Sequence, residues 1–296
     1  MAALTTLPSV PPAHGLVLIG IGLGDVDGIT VAAKRAAATA DVRRFEAYTA
    51  LWPEQELKKL EAEIGPIEII MRPEVEGANA LLDLARNAVV ALLVVGDPLQ
   101  ATTHVDLQLQ ASEAGVPCQV IHGISITSVV TGAVGLSNYK FGRQTTFAYP
   151  HGEWVATSPL EVLAANFEQN LHTLVLLDLD PTGQGTGQQQ PMSPQSATQT
   201  FQMMWEKMLE DVEEPLSEEY VRLAFRQFGR KLYLQQHREE ITVILCSDMG
   251  TAQQNIVATT MGELAQEVGG RLNCLVFPAG LSDVEEKAIA RWKRGI

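Results

Sequence analysis

The chain has 296 residues, 46% of them hydrophobic and 19% charged, and carries a formal charge of −14 at pH 7. This is enough chain for two cores of ordinary size, with the composition of a soluble folded protein rather than a disordered one. The negative balance argues against a surface that wraps nucleic acid, which needs clustered Lys and Arg. The longest apolar runs fall far short of the ~20 residues of a membrane span.

Residues 1–14 lack a basic flank and a continuous apolar segment, and they contain Pro8, Pro11 and Pro12. They read as a flexible tail rather than a secretory signal. Beyond them, short apolar runs alternate with segments of helical period. Strands are expected over 16–21, 42–48, 67–71, 89–95 and 117–121. Helices are expected from about Asp27 or Thr30 and over 54–64, 77–87 and 103–114. Alternation of this kind makes an α/β layer, a mostly parallel sheet covered by helices, over 15–122.

From 123 onward the texture changes to an α+β domain with a mixed sheet. A small-residue helix is expected over 125–135, with strands over 145–149, 173–178, 241–246, 255–259 and 272–277. Between them lies 181–200, rich in Gln, Gly, Pro, Ser and Thr, with only Met192 and Ala197 as apolar residues. Such a segment buries too little to offset its ordering entropy and is expected to be a flexible surface insert. A helix is expected near Phe201, and the charged stretch 206–219 reads as a solvated helix followed by the cap of the next one, with Pro215 as the breaker.

Three turns could carry chemistry. In the first, Gly20-Ile21-Gly22-Leu23-Gly24-Asp25 follows a strand, and its glycines allow a sharp turn and close approach of a ligand. Its spacing is not that of the dinucleotide fingerprint. In the second, Gly96-Asp97-Pro98-Leu99 ends an apolar strand where open α/β sheets place ligands. Asp97 has two readings there, a turn-forming cap or a carboxylate facing the crevice. His104, at the start of the next helix, reads as a cap or a partner of this loop rather than a base. In the third, Ile121-His122-Gly123-Ile124-Ser125-Ile126 runs from strand to helix, so Ser125 is a cap or a pocket residue. His172, ahead of an apolar strand, reads as structural.

The three cysteines, Cys118, Cys246 and Cys274, have no CxxC spacing, so neither a disulfide framework nor a metal site is expected. No nucleophile-and-base constellation is visible either. Methyl transfer from a sulfonium is compatible with that, because it is a direct displacement that depends on holding donor and acceptor in line.

Taken together and in order, these turns resemble those of the tetrapyrrole methylases. Within that family, Glu46-Ala47-Tyr48-Thr49-Ala50-Leu51, Ala101-Thr102-Thr103-His104, Tyr139-Lys140-Phe141-Gly142, Ala148-Tyr149-Pro150-His151-Gly152-Glu153-Trp154 and Leu171-His172-Thr173-Leu174 resemble the diphthine-synthase branch. The resemblance is strong over about 16–180. It implies a two-domain tetrapyrrole-methylase-like fold, a cytoplasmic homodimer, and S-adenosyl-L-methionine as methyl donor in a cleft between domains. By position it carries cofactor contacts onto Leu23, Asp97, Gln100, Ser125, Ile126 and Leu177. The implied reaction is repeated N-methylation of the 3-amino-3-carboxypropyl-histidine of translation elongation factor 2, with no metal and no nucleic acid involved.

The C-terminal third departs from the family pattern. Cys246-Ser247-Asp248-Met249-Gly250 replaces an Ala-Arg-rich turn, Asn273 stands where the family has a histidine, and Leu281-Ser282 replaces a Leu-His pair. Asp248 and Asn273 are assigned to the cofactor by position alone. Two other functions stay open: another methylase of this type acting on a corrin or on ribosomal RNA, and a non-catalytic domain binding a nucleotide-like ligand or a partner.

Overall fold

The computed structural model describes residues 13–100, 102–187, 189–213 and 230–294. The chain forms two units, one running to Ile126 and including Thr182–Gln189, the other made of Thr127–Pro181 and the chain from Gln190 onward.

The first unit is built on β1 (Gly15–Gly20), β2 (Val42–Glu46), β3 (Glu68–Ile70), β4 (Val89–Val94) and β5 (Cys118–Ile121), with α1 (Val31–Thr39), α2 (Glu54–Ile64), α3 (Arg72–Glu76), α4 (Asn79–Ala85) and α5 (Thr102–Glu113) between them. All strands run parallel, in the order β3-β2-β4-β1-β5. Every residue of β1 and β4 is buried, as expected of central strands covered on both faces. Their alternating side chains serve two cores. Leu16, Leu18, Val90 and Leu92 pack with Leu81, Leu82 and Leu107 of α4 and α5. Val17, Ile19, Ala91 and Leu93 pack with Ala33, Ala37, Leu60 and Ile64 of α1 and α2. The helices after β1 and β4 therefore lie on opposite faces, although these strands are neighbours. This is a topological switch point, and it opens a crevice at the carboxyl ends of β1 and β4.

The second unit contains α6 (Ile126–Ala133) after its first residue, β6 (Thr145–Phe147), α7 (Ser158–Glu168), β7 (Thr173–Leu177), α8 (Pro194–Glu213), β8 (Thr242–Ser247), β9 (Asn255–Thr260), β10 (Asn273–Phe277) and α9 (Asp283–Ala290). Its sheet has the order β6-β7-β10-β8-β9; β6 and β7 are parallel and the other pairs antiparallel. The α/β class with a parallel first sheet and a mixed second one is the architecture expected. Cys246 and Cys274 face each other across β8 and β10, free and buried. The hydrogen bond to Cys274 and burial raise the Cys246 thiol well above its ordinary range, which leaves it inert.

The insert over 181–200 is where the expectation fails. Residues Thr182–Gln189 belong to the first unit, where Arg72 donates from its amide to the Gly185 carbonyl at 3.2 Å and from Nη1 to the Gly183 carbonyl at 2.7 Å. From Pro194 the chain is helical, so α8 starts ahead of the helix expected near Phe201. Met192 and Ala197, the two apolar residues of the segment, are 1% and 0% exposed. Ala197 begins a stripe continued by Phe201, Met204, Trp205 and Met208, all in the core. Averaging composition over the segment hid a stripe that runs beyond its end. Pro215 lies outside the described residues, as does the N-terminal tail apart from Ala13 and His14.

A buried polar cluster anchors α9. Ser282 and Glu285 form a capping box, and Glu285 Oε1 also accepts from the Ser137 amide at 3.0 Å and lies 3.0 Å from His172 Nε2. His172 Nδ1 accepts from the Ala279 amide at 2.9 Å, which leaves Nε2 to donate to Glu285. Its structural reading therefore holds. Burial lowers the His172 ring below its ordinary value of 6.5. Burial alone would raise the Glu285 carboxyl, but hydrogen bonds from Ser282, Ser137 and His172 outweigh it and hold the group well below its ordinary 4.5.

The fold thus favours neutral His172 and ionised Glu285, and the unfolded chain binds protons first on acidification. Stability should be fully present above about pH 6.5 and fall through the histidine range, then further below about pH 4.5. Thermal melts from pH 8 to about pH 3 should show both limbs, and Glu285→Gln should lower the midpoint at pH 7 and flatten the lower limb.

Candidate functional site

At the carboxyl end of the first sheet, three turns meet backbone to backbone. A Cβ on Gly20 would come within 2.5 Å of the Gly123 amide nitrogen and 2.6 Å of the Gly96 carbonyl oxygen, and one on Gly123 would overlap the same carbonyl. Only glycine allows that approach. Gly22 and Gly96, with φ of +72° and +77°, exchange hydrogen bonds: the Gly96 amide donates to Gly22 at 2.7 Å and the Gly22 amide to Gly96 at 3.3 Å. The floor of the crevice is therefore bare backbone.

Asp97 locks the second and third turns together. Its Oδ1 accepts from the Leu99 amide at 2.9 Å, while Oδ2 accepts from the Gly123 amide at 3.2 Å and lies 2.8 Å from His122 Nδ1. The turn-forming role proposed for Asp97 is thus directly visible. Leu23, half-buried, lies in the first turn, and exposed Gln100 closes the second. Buried Ser125 stands immediately before α6 and Ile126 begins it. These five residues gather at one edge of one sheet.

The other three expected residues lie in the second unit, at one edge of its sheet. Leu177 ends β7, Asp248 follows β8 and Asn273 begins β10. Asp248 adopts φ +46°, and its carboxylate accepts from the Leu272 and Arg271 amides at 3.0 and 3.1 Å. Asn273 Oδ1 accepts from the Gly270 amide and the Ser247 hydroxyl, both at 2.8 Å. Both side chains are occupied in shaping the turn that precedes β10. Turn formation accounts for these bonds, and a ligand contact by either residue is a separate proposal.

Two features escaped the sequence reading. His122 is exposed beside Asp97, and its place just before the Gly123 turn was the available signal. The second is a pair formed by buried Glu46 and His104, both 0% exposed, with His104 Nε2 2.5 Å from Glu46 Oε2. Both residues stood in quoted motifs, but nothing in the linear order pairs them. Expected to cap α5 or to partner the Asp97 turn, His104 lies instead against Glu46, the last residue of β2. Among the described residues no cluster is placed to hold a metal, and no helix is long and apolar enough to cross a membrane.

This fold and this crevice define a class. The chain belongs to the tetrapyrrole (corrin/porphyrin) methylases, whose family model matches residues 15–265. Among its relatives, the diphthine synthase of Methanospirillum hungatei JF-1 is 39% identical over 166 residues, which is 55% of this chain and 66% of that protein. The diphthine synthase of Methanocorpusculum labreanum is 40% identical over 166 residues, with the same coverage. The match thus spans 66%, just under two thirds, of the length of these curated relatives. A crystal structure of a diphthine synthase superposes with a TM-score of 0.75 at 26% identity, covering 94% of this chain and 95% of that one.

Two substitutions test the crevice. Gly123→Ala should force the turns apart and lower stability by about 1–3 kcal/mol, the usual cost of overpacking. Asp97→Ala strands the Leu99 and Gly123 amides and should cost about 1–3 kcal/mol. Urea denaturation measures both, and an unchanged midpoint in either would contradict the packing described.

Proposed function

We propose that this chain is an S-adenosylmethionine-dependent methyltransferase of the diphthine synthase type. It would repeatedly N-methylate the 3-amino-3-carboxypropyl-histidine of translation elongation factor 2. The observation that carries the reading is the glycine-floored crevice at the switch point of a tetrapyrrole-methylase fold. The kinship with diphthine synthases supports the choice of substrate.

The crevice fits the cofactor on its own chemistry. The absence of Cβ atoms at Gly22 and Gly96 lets a flat ligand approach the turns closely, and Leu23 offers an apolar edge. When bound, S-adenosylmethionine supplies an electrophilic methyl group whose leaving group needs no acid. The residues of the chain then have to hold the cofactor and shape the site; a base is needed only to keep the accepting amine unprotonated. Leu23, Asp97, Gln100, Ser125 and Ile126 are the proposed contacts on the first unit. Leu177, Asp248 and Asn273 are proposed from the second on resemblance alone. A homodimer working in the cytoplasm completes the reading, supported by the same resemblance.

Calorimetry with S-adenosylmethionine should show saturable binding; no heat at millimolar cofactor would end the methyltransferase reading. In cells lacking this protein, mass spectrometry of elongation factor 2 should find the aminocarboxypropyl histidine without its methyl groups. A fully methylated histidine there would reject the substrate and favour another methylase activity of the family.

A further inference from the structure

Glu46 and His104 are ionisable, wholly buried and unused by the chemistry above. Glu46 is the last residue of β2, where apolar side chains are the rule for a covered strand. His104 is the third residue of α5. Taking a carboxylate out of water is costly, and side chains of this kind persist in cores where they are paired. Here the two side chains are in close contact, although Glu46 Oε2 and both His104 ring nitrogens lack an aligned hydrogen-bond partner. One Glu46 oxygen faces His104 Nε2 at 2.5 Å, while the other accepts from the Thr49 amide at 3.0 Å and from the Thr49 hydroxyl.

The neighbouring residues of the two segments interlock as well. Tyr48 is buried beside the Thr103 side chain, and its phenol is raised by burial and by Glu46. The Arg72 guanidinium lies over its ring, 5.2 Å from the centroid. The segment 46–49 thus grips the first turn of α5 at two successive positions.

In sequence α5 begins two residues after Gln100, which ends the Asp97–Gln100 turn, and the far end of that turn is tied to the Gly123 turn after β5. We propose that the Glu46–His104 pair is a positioning device for the Asp97–Gln100 turn. It fixes the start of α5 from inside the core, as Asp97 fixes the other end of the turn at the surface of the crevice. Neither side chain reaches solvent, so neither touches substrate. Their effect on the reaction runs through the backbone that carries Asp97 and Gln100. The link to catalysis rests on the methyltransferase reading; the link to the turn does not.

The test uses the full chain. Removing one partner strands a buried polar group and could unfold the protein, so the informative variant is the double apolar replacement Glu46→Met with His104→Phe. A second variant, His104→Gln, keeps an amide donor near the position of Nε2. Two quantities are read: hydrogen exchange at the Leu99 and Gly123 amides without cofactor, and the Kd for S-adenosylmethionine.

If the pair positions the turn, the double variant stays folded but exchanges at these amides about tenfold faster or more. Its Kd should rise by about tenfold or more, the scale expected of a displaced binding segment. His104→Gln should return both to within about threefold of the parent. A double variant that melts differently yet keeps parental exchange and Kd would overturn the proposal, leaving the pair as core filling. If the parent itself fails to bind S-adenosylmethionine, the methyltransferase reading falls. Exchange at Leu99 and Gly123 then still decides the positioning role.

Discussion

Everything proposed for the first unit depends on the approach of three strand ends at Gly20, Gly96 and Gly123. A strand order of β3-β2-β4-β1-β5 sends the chain to opposite faces after β1 and β4 and leaves a gap above their ends. Whether that gap becomes a site depends on how closely the connecting turns pack. With a Cβ at position 20 or 123 the turns would have to separate, and the hydrogen bonds between Gly22 and Gly96 and from Gly123 to Asp97 would lengthen. Backbone contact brings Leu23, Asp97 and Ser125 to one edge with little help from side chains. Asp97 supplies most of that help, because its carboxylate satisfies amides from two turns at once.

The second unit solves a different problem. Its sheet has an antiparallel majority, with α7 and α8 supplying much of the large core on which it rests. Polar groups appear inside it where a joint is needed. Glu285 gathers the start of α9, the Ser137 amide and His172 into one cluster, and neutral His172 completes it by accepting from Ala279. The bends that precede and follow the strands at the other edge are held by Asp248 and Asn273. The hydrogen bonds of these two residues give them a full structural occupation.

What the sequence made legible was what a periodic pattern can carry. Continuous apolar runs at β1 and β4 announced central parallel strands, and the glycine turns marked where the strand ends pack backbone to backbone. The double reading of Asp97 was also legible, and geometry was needed to show its hydrogen bonds. Three things were not legible, each for a physical reason. The start of α8 was hidden because Ala197 and Met192 look sparse until Phe201, Met204 and Trp205 extend the stripe. The attachment of Thr182–Gln189 to the first unit depends on backbone carbonyls at Gly183 and Gly185 meeting Arg72, and carbonyls leave no trace in a sequence. Glu46 and His104 are 58 positions apart and meet only because β2 and β4 are adjacent.

The central claim is that the crevice over β1 and β4 holds the methyl donor. A crystal structure of the chain with S-adenosylhomocysteine tests it most directly. The account predicts the ligand at the carboxyl ends of these strands, against the Gly22 and Gly96 backbone, with Leu23, Asp97 and Ser125 around it. A ligand bound elsewhere, or that crevice empty at saturating concentration, would contradict it.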